Sequence, residues 1–249
     1  MSERPRAVVV GASSGVGRAL AGELAGRGYD LVVAARSRDD LEPVAADLRV
    51  RHGVDVTALV VDLDGPDDEL ELFVKRCLET SPTIDAVLIP AGGMAPDDEG
   101  TADWSATTAL VTTNFLGVVK VAGRLVAQLE AQGGGTLVLF SSIAAATPRR
   151  RNVVYGAAKA GLEYYGRGLQ HRFAGTPVRV QVYALGYVDT AMTRGMQLAF
   201  PVADPQRVAR AVVDGLGGPG RVRYLPGWWR LVVGALRLLP WPVYRRLRF

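Results

Sequence analysis

Gly11-Ala12-Ser13-Ser14-Gly15-Val16-Gly17 follows directly on a short apolar run, Ala7–Val10, and leads into a stretch with helical spacing, Gly15–Gly28. That order reads as strand, turn, helix, the opening of a βα unit. Glycines let the backbone turn sharply and approach a pyrophosphate, which would rest on the helix N-terminus where free amide N–H groups point. Gly11, Ser13, Ser14, Gly15, Val16 and Gly17 are therefore candidate nucleotide-binding positions. An ordinary βα turn tolerates the same glycines, so the rest of the chain has to decide between the two.

Downstream, strand and helix patterns alternate to the end of the chain. Strands are predicted at Leu31–Ala35, Thr57–Val61, Ala86–Ile89, Thr136–Phe140, Val178–Tyr183 and, as a last edge strand, Val222–Leu225. Helices are predicted at Asp39–Arg51, Asp67–Glu79, Thr107–Gln132, Val153–Phe173 and Asp204–Leu216. The long fourth helix ends at Gly133-Gly134-Gly135, a strong stop. Such alternation predicts an α/β fold, a doubly wound parallel sheet of about seven strands with helices on both faces. Residues 1–225 read as this domain, and 226–249 as a basic, apolar extension.

The end of the second strand bears on the choice of nucleotide. An acid there would grip ribose hydroxyls and repel a 2′-phosphate. The chain has Arg36-Ser37-Arg38 instead, two guanidiniums and a hydroxyl that suit a 2′-phosphate. NADP(H) is expected in preference to NAD(H), which is still allowed; the alternative is that these arginines merely cap a solvated loop. Asp62, after the third strand, could accept from an adenine amino group.

The chemistry is carried by Ser142, Tyr155 and Lys159. Tyr155 and Lys159 are four apart, on one helical face. An ammonium beside a phenol favours the phenolate and is expected to pull the tyrosine down from about 10. Such a pair can pass a proton to or from a carbonyl or carbinol oxygen.

Taken together, the Gly11/Gly15/Gly17 turn, Asn114 in Asn114-Phe115-Leu116-Gly117, Ser141-Ser142, Tyr155-x-x-x-Lys159 thirteen residues on from Ser142, and Thr190 resemble the short-chain dehydrogenase/reductase family over nearly the whole chain. The resemblance implies a Rossmann-type fold and NAD(P)-dependent oxidation or reduction between alcohol and ketone. It assigns catalysis to Asn114, Ser142, Tyr155 and Lys159: Tyr155 as acid or base, Lys159 on the nicotinamide ribose, Ser142 on the reacting oxygen, Asn114 supporting a water relay to Lys159. It extends the cofactor site to Leu63, Ala91, Gly92, Gly186, Val188 and Thr190, with no metal. Two departures stand out. Ile89-Pro90-Ala91-Gly92 replaces the usual Asn-Asn-Ala-Gly, and Leu185-Gly186 replaces Pro-Gly.

Three features bear on the substrate. Arg149, Arg150 and Arg151 lie between Ser142 and Tyr155 and would suit an anionic group at the mouth of the site, though a solvated or subunit-facing charge run reads the same way. From Arg221 to Phe249 there are seven arginines and no acid, leaving the remainder net acidic although the whole chain carries +4. In that tail Arg230, Gly234 and Arg237 form one narrow helical stripe among apolar faces flanked by tryptophans, the pattern of a membrane-interface helix or of one packed on a partner subunit. The arginine loop and tail are also similar to the keto-reductases of actinobacterial decaprenylphosphoryl-ribose epimerases. That likeness implies a lipid-linked keto-pentose substrate, decaprenylphosphoryl-2-keto-erythro-pentose reduced to decaprenylphosphoryl-arabinose for the cell wall, and a flavin oxidase partner. Another hydrophobic ketone (3-oxoacyl, steroid or long-chain keto base) is the nearest alternative; a nucleotide-sensing protein without catalysis is a third, against which the intact trio speaks.

Cys77 is the single cysteine, so no intrachain disulfide can form and a reducing cytoplasm is expected, with the tail touching the inner membrane face. No signal peptide is expected, nor any stretch approaching the roughly 20 apolar residues of a spanning helix. Nucleic-acid binding is not expected, because the basic tail is as apolar as it is cationic. Arginine used almost to the exclusion of lysine, with abundant Ala, Gly and Val, suggests a GC-rich bacterial genome, and the epimerase likeness implies an actinobacterial one. The family resemblance implies a homo-oligomer.

Overall fold

The computed structural model describes residues 4–80, 82–95, 98, 100, 103–195 and 200–247. Its elements run β1 (Arg6–Val10), α1 (Gly15–Gly26), β2 (Asp30–Ala35), α2 (Arg38–His52), β3 (Val56–Val60), α3 (Asp67–Thr80), β4 (Ala86–Ile89), α4 (Trp104–Val111), α5 (Gly117–Ala131), β5 (Gly135–Ser142), α6 (Val153–Arg172), β6 (Val178–Leu185), α7 (Pro205–Asp214), β7 (Val222–Leu225), α8 (Trp229–Leu238) and α9 (Trp241–Tyr244). The seven strands form one sheet in the order β3-β2-β1-β4-β5-β6-β7, with every neighbouring pair parallel.

Strand side chains alternate between the two faces. Val9 of β1 enters a core shared with Leu20 and Leu24 of α1, Leu41 of α2 and Val212 of α7. Val8 and Val10 enter the opposite core, with Phe73 of α3, Leu125 of α5 and Leu162 of α6. Both faces being covered explains why the strands read as continuous apolar runs. The buried Cys77 belongs to the second core, where burial pushes its thiol up to about 12 and makes it a packing group.

Three differences from the sequence expectation matter. The helix expected at 107–132 begins at Trp104, where the Asp103 side chain accepts from Ala106 N–H at 2.8 Å, and it is interrupted by a π-turn over Thr112–Leu116. Trp104–Ala131 is also long and apolar enough to cross a membrane, contrary to expectation. Its apolar side, from Val118 to Leu129, is core of the domain, and Lys120 and Arg124 pair with Asp67 and Glu71 of α3. Finally, β5 and β6 each run two residues further than predicted, because Ser141 and Ser142 continue the ladder opposite Ala184 and Leu185. Main-chain pairing needs no apolar side chain, so the serines gave no strand signal.

The sheet order reverses between β1 and β4, which opens a crevice at the carboxyl ends of these strands. The tail adds to this end of the molecule. Trp229 and Val233, on one side of α8, are buried with Ile143, while Arg230, Gly234 and Arg237 face outward as expected. Leu231 and Leu238 are also exposed, so the apolar surface of the helix is split between core and solvent.

Candidate active site

The crevice is a cleft of about 510 Å³. Its floor is the glycine turn. Gly11 has φ +99°, and a β-carbon there would lie 2.8 Å from the Ala91 α-carbon. A β-carbon on Gly17 would lie 1.8 Å from the Gly11 carbonyl oxygen. These positions admit only glycine, and the space kept clear leads to the N-terminus of α1. Among the described residues, that combination of bare backbone and free N–H groups fits a pyrophosphate.

Ser13, Ser14, Gly15, Val16, Arg36, Asp62, Leu63, Ala91, Gly92, Gly186, Val188 and Thr190 all line the same cleft. Thr190 lies against the turn, its methyl 3.1 Å from where a Gly15 β-carbon would be. Ser37 and Arg38 do not line it. The Ser37 hydroxyl accepts from Asp40 N–H at 3.2 Å as the N-cap of α2, and Arg38 is exposed in the first turn of that helix. Of the three residues expected to meet a 2′-phosphate, the structure puts only Arg36 on the cleft wall.

Asn114, Ser142, Tyr155 and Lys159 line the far end of the cleft. Asn114 is fully buried in the π-turn; its Nδ2 donates to Leu110 O (2.9 Å) and Gly93 O (2.8 Å), and its Oδ1 accepts from Gly93 N–H (3.1 Å). A β-carbon on Gly92 would sit 2.8 Å from Asn114 Oδ1 and 3.1 Å from Lys159 Nζ, so these two groups flank one small gap. Lys159 Nζ donates to Phe140 O at 3.1 Å and lies 5.9 Å from the centroid of the Tyr155 ring. Ser142, at the end of β5, accepts from Ala144 N–H at 3.2 Å and hydrogen-bonds Tyr155.

The electrostatics differ from the simple expectation. Burial is the largest influence on Tyr155 and raises it above its ordinary value; the Ser142 hydrogen bond and the positive charge of Arg149 pull the other way without prevailing. The expected depression by Lys159 is not what governs the site. Burial also brings the Lys159 ammonium down from 10.5 to about 8.

The arginine run divides. Arg149 is half-buried, donates to Tyr187 Oη at 3.5 Å, and is the guanidinium that acts on Tyr155. Arg150 donates to Arg245 O of the tail at 3.2 Å, and Arg151 is exposed. None of the three lines the cleft itself. Tail and loop are tied twice more, by Arg237 Nε to Ala146 O (3.2 Å) and by Tyr244 Oη to Pro148 O.

Sequence reasoning missed Trp229. The indole lies so close to Gly186 that a β-carbon there would be 1.8 Å from Nε1, and it packs edge-on to Tyr187 at 5.4 Å and on Trp228 at 4.5 Å. The tail thereby supports the wall of the cleft from behind. The Trp228-Trp229 pair was visible as a motif, but nothing local ties it to a glycine more than forty residues earlier.

The sequence profile of short chain dehydrogenases matches residues 5–199. The chain belongs to this family. Membership places it among NAD(P)-dependent oxidoreductases acting between alcohol and carbonyl. The dehydrogenase is 37% identical over 241 residues to an uncharacterized oxidoreductase of Mycobacterium tuberculosis, covering 96% of each chain. It is 36% identical over 249 residues to an uncharacterized oxidoreductase of Streptomyces coelicolor, covering 98% of this chain and 96% of the other. Among solved structures it is similar to a short-chain dehydrogenase from Sphingobium yanoikuyae in complex with NADPH, with TM-score 0.82, 26% identity, and 98% and 96% of the two chains covered. An alcohol dehydrogenase from the archaeon Thermococcus sibiricus, complexed with 5-hydroxy-NADP, gives TM-score 0.78 at 26% identity, covering 89% and 96%.

Proposed function

We propose that this dehydrogenase works as an NADPH-dependent ketone reductase. The observation that carries this reading is Ser142, Tyr155 and Lys159 gathered at the end of the cleft, where Ser142 can hold a carbonyl oxygen and the buried Tyr155 hydroxyl can give it a proton. Arg36 on the cleft wall, with no acid at the end of β2, supports the phosphorylated nucleotide, as do the NADP-type ligands of the two similar structures.

The glycine turn and the N-terminus of α1 would hold the pyrophosphate, Arg36 the 2′-phosphate, Lys159 the nicotinamide ribose, and Thr190 the carboxamide. The reduced nicotinamide, when bound, supplies a hydride to the carbonyl carbon. Ser142 donates a hydrogen bond to the carbonyl oxygen and fixes its place. Tyr155 gives that oxygen its hydroxyl proton, so ketone, hydride and proton become a secondary alcohol. Lys159 stabilises the phenolate left behind, and the gap it shares with Asn114 is where a replacement proton can enter.

The substrate is a ketone on a large, hydrophobic, anionic molecule; in its most specific form, the 2-keto group of decaprenylphosphoryl-2-keto-erythro-pentose, supplied by a flavin oxidase. Two features support this reading. Arg149 stands beside Tyr155, and the outer tail carries Leu231, Leu238, Trp241 and Val243 exposed beside Arg230, Arg245 and Arg246, which suits an anionic membrane surface where such a lipid resides. The test is NADPH oxidation by purified protein, with the keto-pentose generated in place by a flavin oxidase, alongside neutral long-chain ketones. Turnover of the phosphorylated substrate that vanishes in Tyr155→Phe supports the reading. Turnover of neutral ketones alone would retain the reductase and remove the lipid-phosphate substrate, and unchanged sedimentation with anionic liposomes after deleting residues 226–249 would remove the membrane contact.

A further inference from the structure

The first turn of α6 is capped from outside its own segment. Asn152 occupies the N-cap position with φ +63°, and its side chain makes no capping bond. The free N–H groups go instead to Asp98, which follows β4 and is 1% exposed. Asp98 Oδ1 accepts from Val154 N–H at 2.9 Å, Oδ2 from Tyr155 N–H at 2.8 Å, and the Asp98 carbonyl from Val153 N–H at 3.2 Å. One residue therefore takes all three leading amides of the helix, two of them on a carboxylate that also meets the positive end of the helix dipole.

We infer that Asp98 is a positioning residue for the general acid, a cap supplied across the chain that holds the helical turn bearing Tyr155. The inference rests on the reductase reading, in which Tyr155 is the acid. Helix ends fray first, and Tyr155 is the third residue of α6. Lys159 is one turn further in and is anchored independently, its Nζ on Phe140 O and its carbonyl accepting from Ser141 Oγ at 3.2 Å. Loss of the cap therefore loosens the acid while leaving the group that would hold the nicotinamide ribose in place.

The experiment compares Asp98→Ala and Asp98→Asn with wild type by hydrogen exchange of the Val154 and Tyr155 amides, NADPH titration and steady-state kinetics. In Asp98→Ala those amides exchange at least about tenfold faster, kcat falls about three- to thirtyfold, and the NADPH dissociation constant stays within about twofold. Asp98→Asn, of the same shape and with one acceptor oxygen kept, falls between Asp98→Ala and wild type. Unaltered exchange in Asp98→Ala overturns the inference, as does a loss of NADPH affinity in step with kcat, which would mark general disruption. Tyr155→Phe, run alongside, reads the acid assignment by itself: persisting turnover sinks that assignment, whereas the exchange result concerns the cap alone.

Discussion

Replacing Lys159 by methionine should make the cofactor-free protein more stable while removing its activity. Lys159 is 4% exposed, and burial brings its ammonium from 10.5 to about 8. Holding it charged at neutral pH therefore costs about 3 kcal/mol of folding free energy. Methionine of similar length removes that cost and gives up the bond to Phe140 O, worth about 1 kcal/mol. The net gain, about 2 kcal/mol, corresponds to a rise of about 4–8 °C in Tm for a chain of this size. The effect has a pH signature. Between about 8 and 10.5 the unfolded chain binds more protons at this site than the folded one, so wild-type stability rises across that window as the penalty is relieved. The gap between variant and wild type is then full below pH 8, and above about 10.5 it reverses to about 1 kcal/mol in favour of wild type, which keeps the bond to Phe140 O. Thermal unfolding of both proteins at pH 7 and pH 10 measures it. A Lys159→Met protein no more stable than wild type at pH 7 would refute the claim that burying the Lys159 ammonium destabilises the fold.

Gly186→Ala should unfold the cleft wall or eject Trp229, since the added carbon would stand 1.8 Å from the indole nitrogen; NADPH affinity should collapse in the single variant and recover in part in Gly186→Ala/Trp229→Ala, although removing the indole alone costs about 3–5 kcal/mol by urea unfolding. Arg36→Glu should raise the KM for NADPH by about tenfold or more and leave that for NADH little changed or lower, as read from paired cofactor titrations. Arg149→Ala takes away a charge that favours the Tyr155 phenolate, so the pH profile for alcohol oxidation should move to higher pH while ketone reduction near neutrality is slowed less; profiles shifted equally in both directions, or not at all, would count against this role.

Much of the site could be read from local spacing. Tyr155 and Lys159 are set by one helix, and the glycine turn by one βα unit, so neighbouring residues carry the signal. What escaped is non-local or concerns burial. Asp98 meets the Tyr155 amide from fifty-seven residues away, and Trp229 meets Gly186 through a helix at the other end of the chain. The four-residue spacing promised an ammonium beside a phenol, but desolvation decides the sign at Tyr155, and desolvation depends on every element packed above it. The π-turn at Thr112–Leu116 has no compositional mark; within it Asn114 Nδ2 donates to the Leu110 carbonyl. The run Arg149-Arg150-Arg151 looked uniform in sequence, yet the three side chains meet a tyrosine, a tail carbonyl and solvent.

The strand order also dictates how the molecule can be assembled as it is synthesised. Once Ile89 has emerged, β1 can have both of its partners, and the edge formed by β3 is already final. Every later strand joins on the other side in the order in which it is made. A nascent chain therefore has one growing edge, first β4, then β5, then β6, and that edge is where a stalled or truncated product would expose unpaired backbone to other chains. The glycine turn can be in place long before Ser142, and Ser142 before β7 and the tryptophans behind Gly186, so a partly made chain can form the floor of the cleft well before its far end is complete.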